Sequence, residues 1–66
     1  MESLKEFIDE HFDNYSGIRL YITTEKLSDE FSFDDLKDED YKYLNDLTII
    51  EWTYNEGTFY FTLNGR

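Results

Sequence analysis

Leu4, Phe7, Ile8, Phe12 and Tyr15, with His11 in the same series, recur at spacings of three and four, the stripe of an amphipathic helix. Ser3 precedes the stripe and Glu6 follows three residues on, a capping-box pattern. Gly17 is placed to end the segment. The other face of this first helix carries Glu2, Asp9, Glu10 and Asp13. Ile18, Leu20 and Ile22 then alternate with Arg19, Tyr21 and Thr23, which predicts a short strand over 18–23 with one buried face. Thr24 can cap a second helix over TEKLSDEF, with Leu27 and Phe31 four residues apart on one side. Residues 32–46, SFDDLKDEDYKYLND, restart the helical pattern behind Ser32 and again behind Asp38. They predict either one bent helix or a turn followed by a helix, with Phe33, Leu36, Tyr41, Leu44 and Leu47 facing inward.

The last third, TIIEWTYNEGTFYFTLNGR, is β-branched and aromatic around an Asn55-Glu56-Gly57 turn and predicts a hairpin. Setting Tyr54 opposite Phe59 brings Trp52 to Phe61 and Ile50 to Leu63, so all large apolar pairs share a face. A slip of one residue would set the two Phe rings against Thr53 and Glu51. The chain contains no proline, internal repeat or linker-like tract, and 66 residues make one domain, 1–66.

Three stretches resemble the winged helix-turn-helix family. YITTEKLSDEF is similar to the junction of the first strand and second helix, KYLNDLTIIEW to the end of the recognition helix and first wing strand, and YNEGTFYFTLNGR to the wing hairpin. The family commonly has Gly between the last helix and the wing, where this chain has Thr48. The resemblance implies a small α+β winged-helix-like domain in the order helix, strand, helix, helix, strand, strand, with its third helix in the DNA major groove.

Charge opposes that function. Sixteen acidic residues face six basic ones, a net charge of −10, and five of the sixteen acids fall within 34–40. Phosphate binding needs lysine and arginine to neutralise the backbone and release counterions. On the third segment Asp34, Asp35, Asp38, Glu39, Asp40 and Asp46 meet only Lys37 and Lys42, and Glu56 occupies the wing tip. Acids three or four positions apart on a helix stand roughly 5–6 Å apart, a spacing that can imitate a phosphate row. These residues, with Tyr43 as an exposed aromatic among them, are the candidate contacts for a basic, nucleic-acid-binding protein partner. The strategy is that of small phage inhibitors such as anti-CRISPR and anti-restriction proteins. The alternatives are a divergent winged-helix transcriptional regulator and an adaptor that dimerises through its aromatic sheet face.

Other chemistries find little support. Without cysteine, and with His11 the single histidine, neither a disulfide nor a zinc site of the usual ligand sets can be assembled. His11 is expected to be a partly buried structural residue. The 34–40 acids lack the central glycine and spacing of a calcium loop, and no glycine-rich phosphate loop or nucleophile elbow occurs. The expectation is a non-enzyme with no cofactor and no metal. No run approaches the ~18–20 apolar residues of a membrane span, and the charged N-terminus is unlike a signal peptide. A cytoplasmic protein without direct nucleic-acid or membrane contact is expected, a homodimer being one option. Six Phe, six Tyr and one Trp supply the bulk that a small core needs.

Overall fold

The computed structural model describes residues 2–12 and 18–65. They form an α+β domain: one helix, α1 (Leu4–His11), on a four-stranded sheet of β1 (Arg19–Thr23), β2 (Ser28–Phe31), β3 (Thr48–Asn55) and β4 (Thr58–Asn64). The strand order is β2-β1-β4-β3, with β1 and β4 parallel at the centre and antiparallel partners outside.

The capping box at the start of α1 is present. The Ser3 hydroxyl accepts from the Glu6 N–H at 3.2 Å, and the Glu6 carboxylate accepts from the Ser3 N–H at 3.0 Å. That second bond, which favours the ionised form, holds the Glu6 carboxyl below the usual carboxylate range. Leu4, Phe7 and Ile8 face the core, and Phe12 closes the helix by donating its N–H to Ile8. The expected positions of Asp13, Tyr15 and Gly17 lie outside the described residues.

The middle of the chain departs from the expected order. TEKLSDEF is the turn and second strand of a hairpin with β1, not a second helix. The Thr24 hydroxyl accepts from the Lys26 and Leu27 N–H groups, and the Thr24 N–H donates to the Leu27 carbonyl, so Thr24 caps a turn. Residues 28–31 then pair with β1, Phe31 opposite Leu20. A spacing of four is a multiple of two, so Leu27 and Phe31 fit one strand face as well as a helical one. The open edge of β1 decided the matter.

Residues 32–46 form two short 3-10 turns, Asp35–Lys37 and Lys42–Asp46, in place of a helix. Acids at 34 and 38 and at 35 and 39 would repel on successive helical turns. Asp and Ser side chains also offer the backbone local bonds that compete with a helix. Ser32 and Asp35 exchange two such bonds, and the Asp38 carboxylate accepts from the Asp40 N–H at 2.9 Å. The segment is an arc running from the end of β2 to the start of β3, anchored by buried Leu36 and Leu44.

In the C-terminal hairpin, Tyr54 stands opposite Phe59 and Trp52 opposite Phe61, as the pattern requires. Ile50 does not face Leu63. A bulge between Ile49 and Glu51 gives that place to Ile49, which is buried, and turns Ile50 outward.

Leu4, Leu20, Ile22, Leu44, Phe61 and Leu63 are the most completely buried side chains. Phe7 is the hub of the aromatic packing, within 5.3 Å of the Trp52 and Phe61 ring centroids. The helix is nevertheless short. Eight residues span about 12 Å, whereas the eight of β3 extend over about 27 Å. The end of β3 therefore overhangs the helix, and Trp52 and Tyr54, on the core side of the sheet, remain 49% and 56% exposed.

Candidate protein-binding surface

The arc of residues 32–46 carries most of the candidate contact residues and holds them by its own hydrogen bonds. Asn45 is the clasp: its side-chain amide donates to the carbonyls of Leu36 at 2.9 Å and Lys42 at 3.1 Å, tying the two turns together. Phe33 and Tyr41, at either side of the acidic run, pack edge-on against Phe12 and Phe31. The run between them is thereby fixed to the β2 side of the core.

Asp34, Asp35, Asp38, Glu39, Asp40, Tyr43 and Asp46 are all exposed on this arc. They are not equally free. Lys37 stands 3.8 Å from Asp34, and Lys42 stands 3.0 Å from Glu39. The side chains of both acids are more than four-fifths exposed, so each pair contributes less than about 1 kcal/mol and opens readily to a better cation. The Asp35 and Asp38 carboxylates accept the backbone N–H bonds that shape the arc. Among the described residues, no ion pair engages Asp40 or Asp46.

Glu56 is not part of this group. It sits in the β3–β4 turn with φ of 50°, at the opposite end of β3 from Asp46. Its distance from Asp46 is roughly 25 Å along the strand. The regular phosphate-like row expected of a helix is replaced by an irregular cluster, because two 3-10 segments separated by a turn over residues 38–41 do not repeat a spacing of roughly 5–6 Å.

Two groups of exposed side chains lie outside the expected set. Asp29 and Glu30 extend the acidic run onto β2, Glu30 being paired with Arg19 at 3.1 Å. Ile50, Trp52 and Tyr54, expected on the buried face, are the most exposed large apolar side chains among the described residues. The only cue to the second group is arithmetic: the helical stripe is too short to cover the hairpin.

His11 is half exposed, its ring resting 4.4 Å from that of Phe7. With Glu2 and Glu10 it forms a group that could hold a cation, their ligand atoms lying within 4.8 Å of one another. A filled tetrahedral site with bonds of about 2.0–2.1 Å brings ligand atoms to roughly 3.4 Å, and Glu10 and His11 are more than half exposed. The group is better described as an opposed carboxyl pair. One Glu2 oxygen is out of solvent without a hydrogen-bond donor. A hydrogen bond to the Glu10 carboxyl, which requires a proton, raises the Glu2 carboxyl above the ordinary range, with desolvation adding to it. A raised folded-state value stabilises the fold only while Glu2 is protonated; that contribution is lost as pH rises through the folded value. Glu2→Gln keeps a donor without needing the proton. Thermal denaturation should show a higher Tm than wild type at neutral pH, with the difference vanishing in acid. An equal Tm at both pH values would show that the two carboxyls do not interact.

Among the described residues no helix is long and apolar enough to cross a membrane. Comparison with protein families, curated proteins and solved structures found no match to this chain.

Proposed function

We propose that this is an acidic protein-binding domain whose arc, residues 32–46 with the adjoining β2, engages the basic nucleic-acid-binding surface of a partner protein. It thereby competes with DNA or RNA, in the manner of a phage-type inhibitor acting in the cytoplasm. The observation that carries the proposal is the concentration of exposed carboxylates on one anchored segment. Six acids and two lysines occupy 34–46, and the buried Leu36 and Leu44 hold the backbone beneath them. Fixed charges cost little ordering entropy on binding, and a field of one sign steers a basic partner at rates that fall with salt. An irregular cluster imitates the charge density of a polyanion rather than the spacing of its phosphates. The winged-helix resemblance enters this proposal through the C-terminal hairpin and the helical turn before it. The pair of helices implied upstream does not enter.

Affinity capture from host lysate, with wild type and with Asp38→Asn/Glu39→Gln/Asp40→Asn, tests the proposal. Wild type should retain a basic nucleic-acid-binding protein at low salt and lose it as salt rises, and the neutralised variant should retain at least tenfold less, about 1.4 kcal/mol. Equal retention by the variant would remove the arc from the interface. A gel-shift titration at low salt should show no complex with DNA; a sequence-specific shift would instead favour a transcriptional regulator.

A further inference from the structure

The two edges of the sheet are treated very differently. β2, at one edge, is short and carries Asp29 and Glu30, the usual protection of an exposed edge. β3, at the other, has eight residues with one charge, Glu51, and no lysine or proline. Its first part is covered by the N-terminal segment: the Ile49 N–H donates to the Glu2 carbonyl, the Leu4 N–H donates to the Leu47 carbonyl, and Ser3 bridges Thr48. Among the described residues that cover ends at the bulge.

The hairpin turn fixes what the uncovered part presents. Glu56 and Gly57 both have positive φ, 50° and 83°, the two-residue type I′ geometry. Such a loop makes its flanking pair, Asn55 and Thr58, a hydrogen-bonded one. Alternation then directs the backbone groups of Thr53 and Glu51 toward β4 and those of Trp52 and Tyr54 toward the open edge. Backbone donors and acceptors thus lie beside three half-exposed apolar side chains, Ile50, Trp52 and Tyr54.

The geometry points to a second copy of this chain as the occupant of that edge, with β3 pairing antiparallel to β3 about a two-fold axis at Thr53. In this register Trp52 meets Tyr54 of the second copy, both with outward backbone groups, and Glu51 meets Asn55, so no like charges are opposed. The acids of 34–40 lie on the β2 side, three strand spacings or about 14 Å away. That exceeds the ~8 Å Debye length at physiological salt, so this acidic cluster does not oppose the contact. A basic partner is drawn to the acidic arc; an edge with one charge in eight residues fits a strand of equally low charge, such as its own copy. Half-exposed aromatic side chains offer roughly 100 Å² each. With Ile50 and the backbone, the dimer buries on the order of 1,000 Å² in total, at the weak end of specific interfaces. The result is a concentration-dependent dimer with one eight-stranded sheet and an acidic arc on each half.

Sedimentation velocity between about 10 μM and about 1 mM, together with amide hydrogen exchange on the same samples, tests this inference. The dimer fraction should rise with concentration, change little with salt, and bring protection of the Trp52 and Tyr54 amides. Ile50→Lys/Tyr54→Lys, with its fold checked by circular dichroism, should stay monomeric. Asp38→Asn/Glu39→Gln/Asp40→Asn should dimerise like wild type, which separates this inference from the arc's proposed function. A monomer throughout the range, or a dimer leaving the Trp52 and Tyr54 amides unprotected, would overturn it. The latter outcome would place the contact on another surface, such as the open sheet face with Tyr21 and Tyr60. The exchange measurement keeps the test valid if the lysine variant fails to fold.

Discussion

Phe61→Ala is expected to give a chain with no cooperative thermal transition. Phe61 lies on β4, between Ile22 of β1 and Trp52 of β3, and is 1% exposed. Its ring meets that of Phe7 edge-on at 5.3 Å and stacks on Phe59 at 6.2 Å, so it joins the helix to the middle of the sheet. Removing a buried Phe costs about 3–5 kcal/mol through lost burial and the cavity left behind. A single core in a chain of this length supplies only about 3–5 kcal/mol in all. The two quantities are equal, and no disulfide is present to make up the difference. Phe61→Leu, which keeps most of the volume, should retain a cooperative transition at lower Tm. Circular dichroism melts of the two variants check the contrast. A cooperative melt of the Ala variant near the wild-type Tm would mean that Phe61 does not occupy the centre of the core.

Asn45→Asp should destabilise the arc more than Asn45→Ala, although it changes fewer atoms. The Asn45 amide donates to two carbonyls, those of Leu36 and Lys42. The Ala variant leaves both without that donor, one of them partly buried, for about 1–2 kcal/mol or roughly 5–15 °C in Tm. The Asp variant places an ionised carboxylate against the same two carbonyls, in a segment already rich in acids. Its charged form is disfavoured in the folded state, so the folded-state pKa of the introduced carboxyl rises above the unfolded value. The excess destabilisation is then present at neutral pH and relieved as pH falls through that folded value, because the protonated carboxyl can donate again. Melts at neutral and acidic pH should show the Asp variant below the Ala variant in the first condition and at or above it in the second. An unchanged order would show that the clasp does not face those carbonyls in solution.

The same variants bear on binding. If the arc is the contact surface, loosening it by Asn45→Ala should weaken partner capture while leaving every acid in place, since the acids would then have to be ordered on binding. Preservation of charge with loss of retention distinguishes an anchored cluster from a merely acidic chain.

Features set by neighbouring residues were legible in the sequence. Ser3 and Glu6 gave the start of α1, the alternation of Leu20 and Ile22 gave β1, and the pairing of Trp52 and Tyr54 with the two Phe residues gave the hairpin register. Features set by distant residues were not. Leu27 and Phe31 fit two periods, and the choice of strand came from pairing with β1. The bulge that exchanges Ile49 for Ile50 begins where the N-terminal segment pairs with β3, a contact across more than forty residues.

The candidate site divides in the same way. Composition and order alone determined that the chain is strongly acidic, that its acids are concentrated in 34–40, and that those positions are polar enough to stay in water. Only the tertiary structure decided that they sit on a succession of tight turns, that Glu56 lies at the far end of β3, and that Trp52 and Tyr54 are uncovered. Charge is a property each residue carries with it, whereas exposure of an apolar ring depends on what else reaches it. Here an eight-residue helix ends before the strand beneath it does.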